Sequence, residues 1–120
     1  MYRPIIGNLP GAADNVKLNK DGKLWVGLPA FKSKLSDKLS QFRIARIILA
    51  KMPDFIKRRI LIERPYAGGM LIDLNTESIV KILRTSSGKV FGVATILEKA
   101  GKLYFSSITD PQIGVIPIPK

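Results

Sequence analysis

The sequence contains no cysteine and no histidine among its 120 residues. Without cysteine the chain has no disulfide framework, no thiolate zinc site and no cysteine nucleophile. Without histidine it has no Ser-His-Asp triad, no histidine general base and no histidine-ligated metal. Any chemistry of this chain must therefore come from carboxylates, amides, hydroxyls, lysine or arginine.

Acidic residues are also scarce. The chain has 9 Asp and Glu against 20 Lys and Arg, which gives a net charge of +11. Such an excess suits a nucleic-acid-binding face, an amphipathic helix on a membrane surface, or a piece of a larger protein whose acidic remainder is missing. Composition does not choose among these three. With 46% hydrophobic residues, the chain suits one globular domain rather than a disordered tail.

Long apolar runs are absent as well. The most apolar helical stretch, Ile44 to Met52, is interrupted by Arg46 and Lys51. It is far shorter than the ~20 apolar residues that a membrane span needs. The apolar residues near the amino terminus end at Gly7–Pro10, so we expect no targeting signal in this chain.

The first 28 residues predict a β-hairpin. Asp14–Leu18 alternates polar and apolar side chains, and Leu24–Leu28 is a β-rich run. Asp21-Gly22 between them is a strong signal for a hairpin turn.

The last third of the chain predicts short strands joined by turns that contain glycine, asparagine or aspartate. The predicted strands are Met70–Leu74, Ile79–Leu83, Val93–Glu98, Leu103–Ser107 and Ile113–Ile118. Their nearly even spacing indicates a sandwich, a barrel or a propeller. A weak repeat favours the propeller, because Gly22–Val26 resembles Gly101–Phe105 and self-similarity is typical of propeller blades.

The middle of the chain is basic and helical. Residues 31–65 hold ten Lys and Arg and three Asp and Glu, a net charge of +7. Leu35, Leu39 and Phe42, followed by Ile44–Leu49, show helical spacing. Pro53 interrupts the pattern, and a second short helix or a turn is expected after it. This zone is then an insertion within the first predicted blade.

Three segments together resemble the strictosidine synthase-like family, which includes adipocyte plasma membrane-associated protein. They are Asn8–Gly11, Asp14–Val16 and Gly22–Leu28, with the Asp-Asn and Trp-Val-Gly motifs. The Tyr-Pro usual in that family is replaced here by Ala12-Ala13. The resemblance covers almost the whole chain.

The resemblance implies a mainly β fold made of the C-terminal blades of a six-bladed propeller with a basic helical insertion. Residues 14–83 would form the penultimate blade, with the insertion at 32–64, and residues 90–118 a partial last blade. The chain would then be a fragment of a longer protein. About two blades expose sheet edges, which invite pairing with another chain.

The resemblance also implies a calcium site at Asn15 and Asp14. In the wider family of calcium-dependent propeller hydrolases, acids and amides of this loop line a central channel and hold the ion. Ca²⁺ takes about 6–8 oxygen ligands, so the remaining ligands would come from other blades. The alternative is that both residues only cap the turn before a strand.

For the intact protein, the resemblance implies a calcium-dependent hydrolase of the arylesterase or lactonase kind, acting on a small-molecule ester or lactone. It disfavours true strictosidine synthase activity. That enzyme uses a glutamate near the start of its last blade, whereas Lys89–Ile96 holds no acid and Glu98 follows at a predicted strand end. The alternative function is a non-catalytic membrane-surface or scaffold protein.

The basic insertion has two interpretations. In the first it is a solvated helix face, with Leu35, Leu39, Phe42 and Leu49 packed beneath it. In the second it docks on an anionic membrane, with Phe31, Phe42, Ile47, Ile48 and Phe55 entering the interface. The basic residues of that surface would be Lys34, Lys38, Arg43, Arg46, Lys51, Lys57, Arg58 and Arg59.

The family resemblance implies membrane association in the secretory pathway or endoplasmic reticulum. Nucleic-acid binding is disfavoured, because aromatic residues are not interleaved with the basic ones as a base-stacking platform needs.

Overall fold

The computed structural model of the protein describes residues 2–63, 67–85 and 92–120. The strands are β1 (Val16–Leu18), β2 (Lys23–Leu28), β3 (Phe31–Lys32), β4 (Ile62–Glu63), β5 (Ala67–Asp73), β6 (Ser78–Thr85), β7 (Val93–Lys99), β8 (Lys102–Ser107) and β9 (Gly114–Pro117). The helices are α1 (Lys34–Ser40), α2 (Arg43–Lys51) and α3 (Asp54–Leu61). Arg64, the predicted end of the insertion, and residues 90–91, the predicted start of the second blade, lie outside the described residues.

The first sheet is antiparallel and has the strand order β1-β2-β5-β6. The β1–β2 pair confirms the predicted hairpin. At its turn the side-chain oxygen of Asn19 accepts the backbone N–H groups of Asp21 and Lys23, at 3.0 and 2.9 Å. Gly22 has a φ of 75°, a left-handed conformation that glycine adopts without steric cost.

Strand β2 is buried on both of its faces. On one face the buried residues are Trp25, Val93, Ile96 and Leu103, which join the first sheet to the second. On the other face they are Val26, Leu28, Phe31, Met70 and Ile72, with Ile6 and Leu9 of the amino-terminal segment packed against them. Successive strand residues point to opposite faces, so Trp25 and Val26 enter different clusters. The continuous apolar run of β2 follows from this two-sided burial.

The second sheet is antiparallel and has the strand order β7-β8-β9. Ala100 and Gly101, with φ values of 50° and 73°, form the predicted turn between β7 and β8. The two copies of the weak repeat occupy equivalent places, because β2 and β8 are each the second strand of their sheet.

The predicted mainly β fold class is confirmed. Four antiparallel strands whose order in the sheet follows their order in the chain, with the insertion between the second and third, are the arrangement of a propeller blade. The assignment of residues 14–83 and 90–118 to the last two of six blades stays a prediction. No helix in the described part of the chain is both long and apolar enough to span a bilayer.

The insertion begins and ends with a short antiparallel pair that the sequence did not predict. β3 pairs with β4, joining residue 31 to residue 63 and residue 32 to residue 62. The backbone N–H of Lys32 also donates to the Pro10 carbonyl at 2.8 Å. Helices α1, α2 and α3 therefore stand on a two-stranded stem that is tied to the amino-terminal segment.

The helical spacing from Leu35 to Leu49 is divided between two helices. α1 closes with N–H groups of Gln41 and Phe42 donating to carbonyls three residues earlier, at 3.4 and 3.2 Å. Such tighter bonds commonly end a helix. Phe42 is extended, with φ −103° and ψ 122°, and α2 starts after it. Pro53 separates α2 from α3, so the expected second short helix is confirmed.

Two packing expectations for the insertion are wrong. Phe31 does not face an interface; it is 3% exposed in the second cluster, and the Arg84 guanidinium carbon lies 4.6 Å from its ring centroid. Leu35 and Phe42 do not pack beneath the helices, since they are 51% and 64% exposed. The short stem draws Phe31 into the sheet, and the break between α1 and α2 turns Phe42 out to solvent.

Gly27 allows the close approach of β7 to β2. A β-carbon at this position would overlap the backbone carbonyl of Ala94. The same carbonyl accepts the backbone N–H of Asn15 at 3.1 Å. Neither the carbonyl nor the strand that carries it can move without breaking this bond.

We expect Gly27→Ala to lower the free energy of unfolding by about 3 kcal/mol, because the added methyl group forces β7 away from β2. Gly114→Ala is the matched control, since its β-carbon would meet Phe105 only at 3.9 Å, an ordinary contact. Urea unfolding followed by Trp25 fluorescence measures both. Equal stability of the Gly27→Ala and Gly114→Ala chains would contradict this packing.

Candidate functional site

Asp14 and Asn15 lie where the two sheets meet. The Asp14 N–H donates to the Gly27 carbonyl and the Gly27 N–H donates to the Asn15 carbonyl, both at 3.0 Å. The Asn15 N–H reaches the Ala94 carbonyl of β7. Both side chains are exposed. The backbone of this pair is therefore held on two strands while its carboxylate and amide point to solvent.

These two side chains do not make a calcium site by themselves. They supply one carboxylate and one amide, whereas Ca²⁺ takes about 6–8 oxygen ligands. Within residues 2–63, 67–85 and 92–120 no cluster of three or more acids is placed to hold a metal ion. The predicted calcium site stays a prediction that depends on ligands from other parts of a longer protein.

Glu98 forms a polar network that the sequence analysis missed. One of its carboxylate oxygens accepts the Trp25 indole N–H at 2.7 Å and the Asn19 amide N–H at 3.0 Å. Asn19, in the β1–β2 turn, and Trp25, on β2, are buried, whereas Glu98 is on β7. Trp25 is core, as predicted, but no local sequence signal connects it to a carboxylate 73 residues away.

The network keeps Glu98 ionised. The hydrogen bonds from Trp25 and then Asn19, with a smaller attraction to Lys20, hold the pKa of the Glu98 carboxyl below its ordinary value. A general acid needs a pKa near the working pH and a free path to its substrate. The contacts of Glu98 in the described structure join β7 to the β1–β2 hairpin.

The helices of the insertion expose an apolar surface. Ile44, Ile47 and Ile48 of α2 are 73%, 48% and 52% exposed, and Phe55 of α3 is 75% exposed. The opposite sides of the helices are half-buried, through Ala45 and Leu49 of α2 and Ile56 and Ile60 of α3. The apolar residues thus form two sets, one facing the protein and one facing solvent.

Basic side chains accompany this exposed set. Seven of the eight predicted basic residues are exposed, and the described residues place no carboxylate in contact with them: Lys34, Lys38, Arg43, Arg46, Lys51, Arg58 and Arg59. The eighth, Lys57, is half-buried and pairs with Asp54 at 3.2 Å. On α3, Arg58 and Arg59 lie about 60° and 40° to either side of Phe55 around the helix axis, at about 100° per residue. We call the seven basic residues with Ile44, Ile47, Ile48 and Phe55 the docking surface.

Comparison with known proteins relates the chain to one group. It is 28% identical over 120 residues to strictosidine synthase-like protein 3 of Arabidopsis thaliana, covering 96% of this chain and 30% of that protein. It is 31% identical over 122 residues to strictosidine synthase-like protein 2 of the same plant, covering 98% and 32%. The chain belongs to the strictosidine synthase-like family.

The strictosidine synthase-like relatives are much longer proteins. Strictosidine synthase-like protein 1 of Arabidopsis thaliana is 28% identical over 122 residues, 95% of this chain and 30% of that protein. The chain thus spans about 30% of the length of the relatives that it matches. No family model matches the chain, and no solved structure matches it.

We expect Glu98→Gln to lower the free energy of unfolding at neutral pH by about 1 kcal/mol, because two hydrogen bonds lose their charged acceptor. Because the pKa of Glu98 is lower in the folded protein than in the unfolded chain, its ionised carboxylate stabilises the fold. This stabilisation is complete above the unfolded-state pKa, about 4.3. That contribution is lost as the pH falls through the folded-state value. The difference between the wild-type and Glu98→Gln chains should therefore shrink towards acid.

Urea unfolding at several pH values between about 7 and 3 measures this difference. Asp21→Asn is the control. It removes an exposed carboxylate from the β1–β2 turn and leaves the contacts among Asn19, Trp25 and Glu98 in place. A Glu98→Gln difference that stays constant with pH would contradict the network.

Proposed function

We propose that this strictosidine synthase-like chain docks on an anionic membrane through the docking surface of its helical insertion. The observation that carries the proposal is the exposure of Ile44, Ile47, Ile48 and Phe55 among basic side chains that have no carboxylate partner in the described structure. A helix that lies in the membrane interface has this division of residues, with an apolar face in the acyl boundary and Lys or Arg beside it.

The energetics of the surface favour a lipid occupant. Burying an apolar side chain such as Phe55 contributes about 2 kcal/mol relative to exposure in water. Each Lys or Arg near an anionic leaflet adds about 1 kcal/mol. The seven basic residues and the four apolar residues therefore contribute to the same binding. In the described structure no carboxylate pairs with the basic residues, and the four apolar residues are exposed.

Charge distinguishes a membrane from the other occupants. Residues 31–65 carry a net charge of +7, so two copies of this surface repel each other. A nucleic acid would meet the charge, but three of the four apolar side chains of the docking surface are isoleucines, which offer no aromatic plane for base stacking. An anionic lipid surface meets both the charge and the aliphatic face.

We also propose ester or lactone hydrolysis by the intact, longer protein. Its support is the position of Asp14 and Asn15, whose backbone is fixed by Gly27 and Ala94 while both polar side chains stay exposed at the sheet junction. Exposed polar groups on a rigid backbone are what a binding or catalytic loop requires. The substrate would be a small ester or lactone, as the family resemblance suggests.

We expect Arg58→Gln/Arg59→Gln to weaken binding to vesicles of phosphatidylcholine and phosphatidylserine about 30-fold, because two charges beside Phe55 are lost. Lys99→Gln/Lys102→Gln is the matched control, which removes two exposed charges from the β7–β8 turn, far from the insertion in sequence. Cosedimentation at low and high salt measures both variants against pure phosphatidylcholine vesicles.

Two outcomes would count against docking through the insertion. One is equal binding of the wild-type chain to anionic and neutral vesicles, which would remove the role of charge. The other is equal weakening by both double variants, which would show that only net charge matters and not its place on α3.

For the hydrolase proposal, we expect the intact protein to hydrolyse phenyl acetate and Asn15→Ala to lower kcat/KM at least tenfold, because an oxygen donor at the sheet junction is lost. Asn75→Ala, at the exposed β5–β6 turn, is the control and should keep full activity. Spectrophotometric release of phenol is the measurement. An intact protein without activity, or equal activity of both variants, would contradict the proposal.

A further inference from the structure

Ser40 presents an accessible hydroxyl between Lys38 and Arg43, two residues of the docking surface. It is exposed at the last residue of α1, where its Oγ donates to the Asp37 carbonyl at 2.9 Å. Only Gln41 and Phe42 separate it from α2. The end of a seven-residue helix opens at low cost, so a modifying enzyme can reach this serine without unfolding the sheets.

The residues around Ser40 are basic. Within six residues on either side, the chain carries Lys34, Lys38, Arg43 and Arg46, against Asp37 as the single acid. All four basic residues belong to the docking surface. A negative charge placed on Ser40 would therefore act on the same electrostatic field that attracts an anionic leaflet.

We propose that phosphorylation of Ser40 releases the insertion from the membrane; this inference rests on the docking function proposed above. A protein kinase that selects serines among basic residues would transfer the γ-phosphoryl group of ATP to the Ser40 Oγ. The Oγ–P bond forms as the bond to the ADP oxygen breaks, and the hydroxyl proton leaves through the base of the kinase. The products are phosphoserine and ADP.

Distance makes the added charge effective. Two residues of extended chain span at most about 7 Å, so the Ser40 backbone lies within that reach of the backbone of the exposed Lys38, a member of the docking surface. The Debye length in physiological salt is about 8 Å, so a phosphate here is not screened from the docking surface. A phosphoserine carries about −1.5 to −2 charges at pH 7. It cancels the attraction of about two basic residues, which corresponds to about 30-fold weaker binding.

Ser33, the other serine of the insertion whose side chain is described, does not offer the same site. It is half-buried next to the stem, and its Oγ donates to the Ile60 carbonyl of α3 at 2.6 Å. A phosphate at Ser33 would have to break the contact that holds α3 against the start of α1. Of these two serines, Ser40 is the one that combines an exposed side chain with basic neighbours and a hydroxyl that can carry a phosphate without breaking a contact between helices.

The test compares chains with phosphoserine incorporated at a single position during synthesis. Phosphoserine at residue 40 should weaken cosedimentation with phosphatidylserine vesicles about 30-fold, with folding checked by circular dichroism. Phosphoserine at residue 78, an exposed position on β6 outside the insertion, is the control and should change binding much less. Treatment of the wild-type chain with protein kinase C and ATP should modify Ser40, and Ser40→Ala should remove that modification.

The outcomes separate the two proposals. A wild-type chain that does not bind anionic vesicles overturns the docking function. A wild-type chain that binds, with unchanged binding after phosphorylation at residue 40, overturns the switch alone. Equal weakening by phosphoserine at residues 40 and 78 also overturns it, as does failure of the kinase to modify Ser40.

Discussion

The contact between Gly27 and the Ala94 carbonyl sets the arrangement of the rest of the molecule. Because Gly27 has no side chain, β7 approaches β2 closely enough for the Ala94 carbonyl to accept the Asn15 N–H. The same approach closes the apolar cluster around Trp25 between the two sheets. β2 is then buried on both sides from Trp25 to Leu28, and an unpaired polar side chain on either face of that stretch would be costly.

A polar network completes the same junction. Trp25 carries an indole N–H into the interior, and a buried donor without an acceptor is costly. Glu98 of β7 accepts it and also accepts the amide of Asn19, which in turn organises the β1–β2 turn through its oxygen. One carboxylate thus couples a hairpin turn, a core tryptophan and a strand of the second sheet. The hydrogen bonds from Trp25 and Asn19 that make this junction also lower the pKa of Glu98.

The insertion follows a different principle. Its stem is fixed by the burial of Phe31 beneath Arg84 and by the bond of Lys32 to Pro10, so its base is part of the blade. Its helices bury only one side and leave isoleucines and a phenylalanine in solvent beside basic residues. The membrane docking proposed above would use this rigid base under an exposed apolar and basic surface. Ser40, the last residue of α1, lies where a phosphate would oppose the proposed attachment.

Local patterns in the sequence were enough for the β-hairpin, the strand positions, the mainly β class and the basic character of the insertion, since each depends on neighbouring residues. They also placed Trp25 in the core. They did not predict the β3–β4 stem, the burial of Phe31 or the break at Phe42. Nor did they predict the network of Asn19, Trp25 and Glu98, whose partners lie 73 and 79 residues apart. Only the packing of the second sheet on the first brings those side chains together, because hydrogen-bond partners that distant along the chain are chosen by tertiary contact and not by local preference.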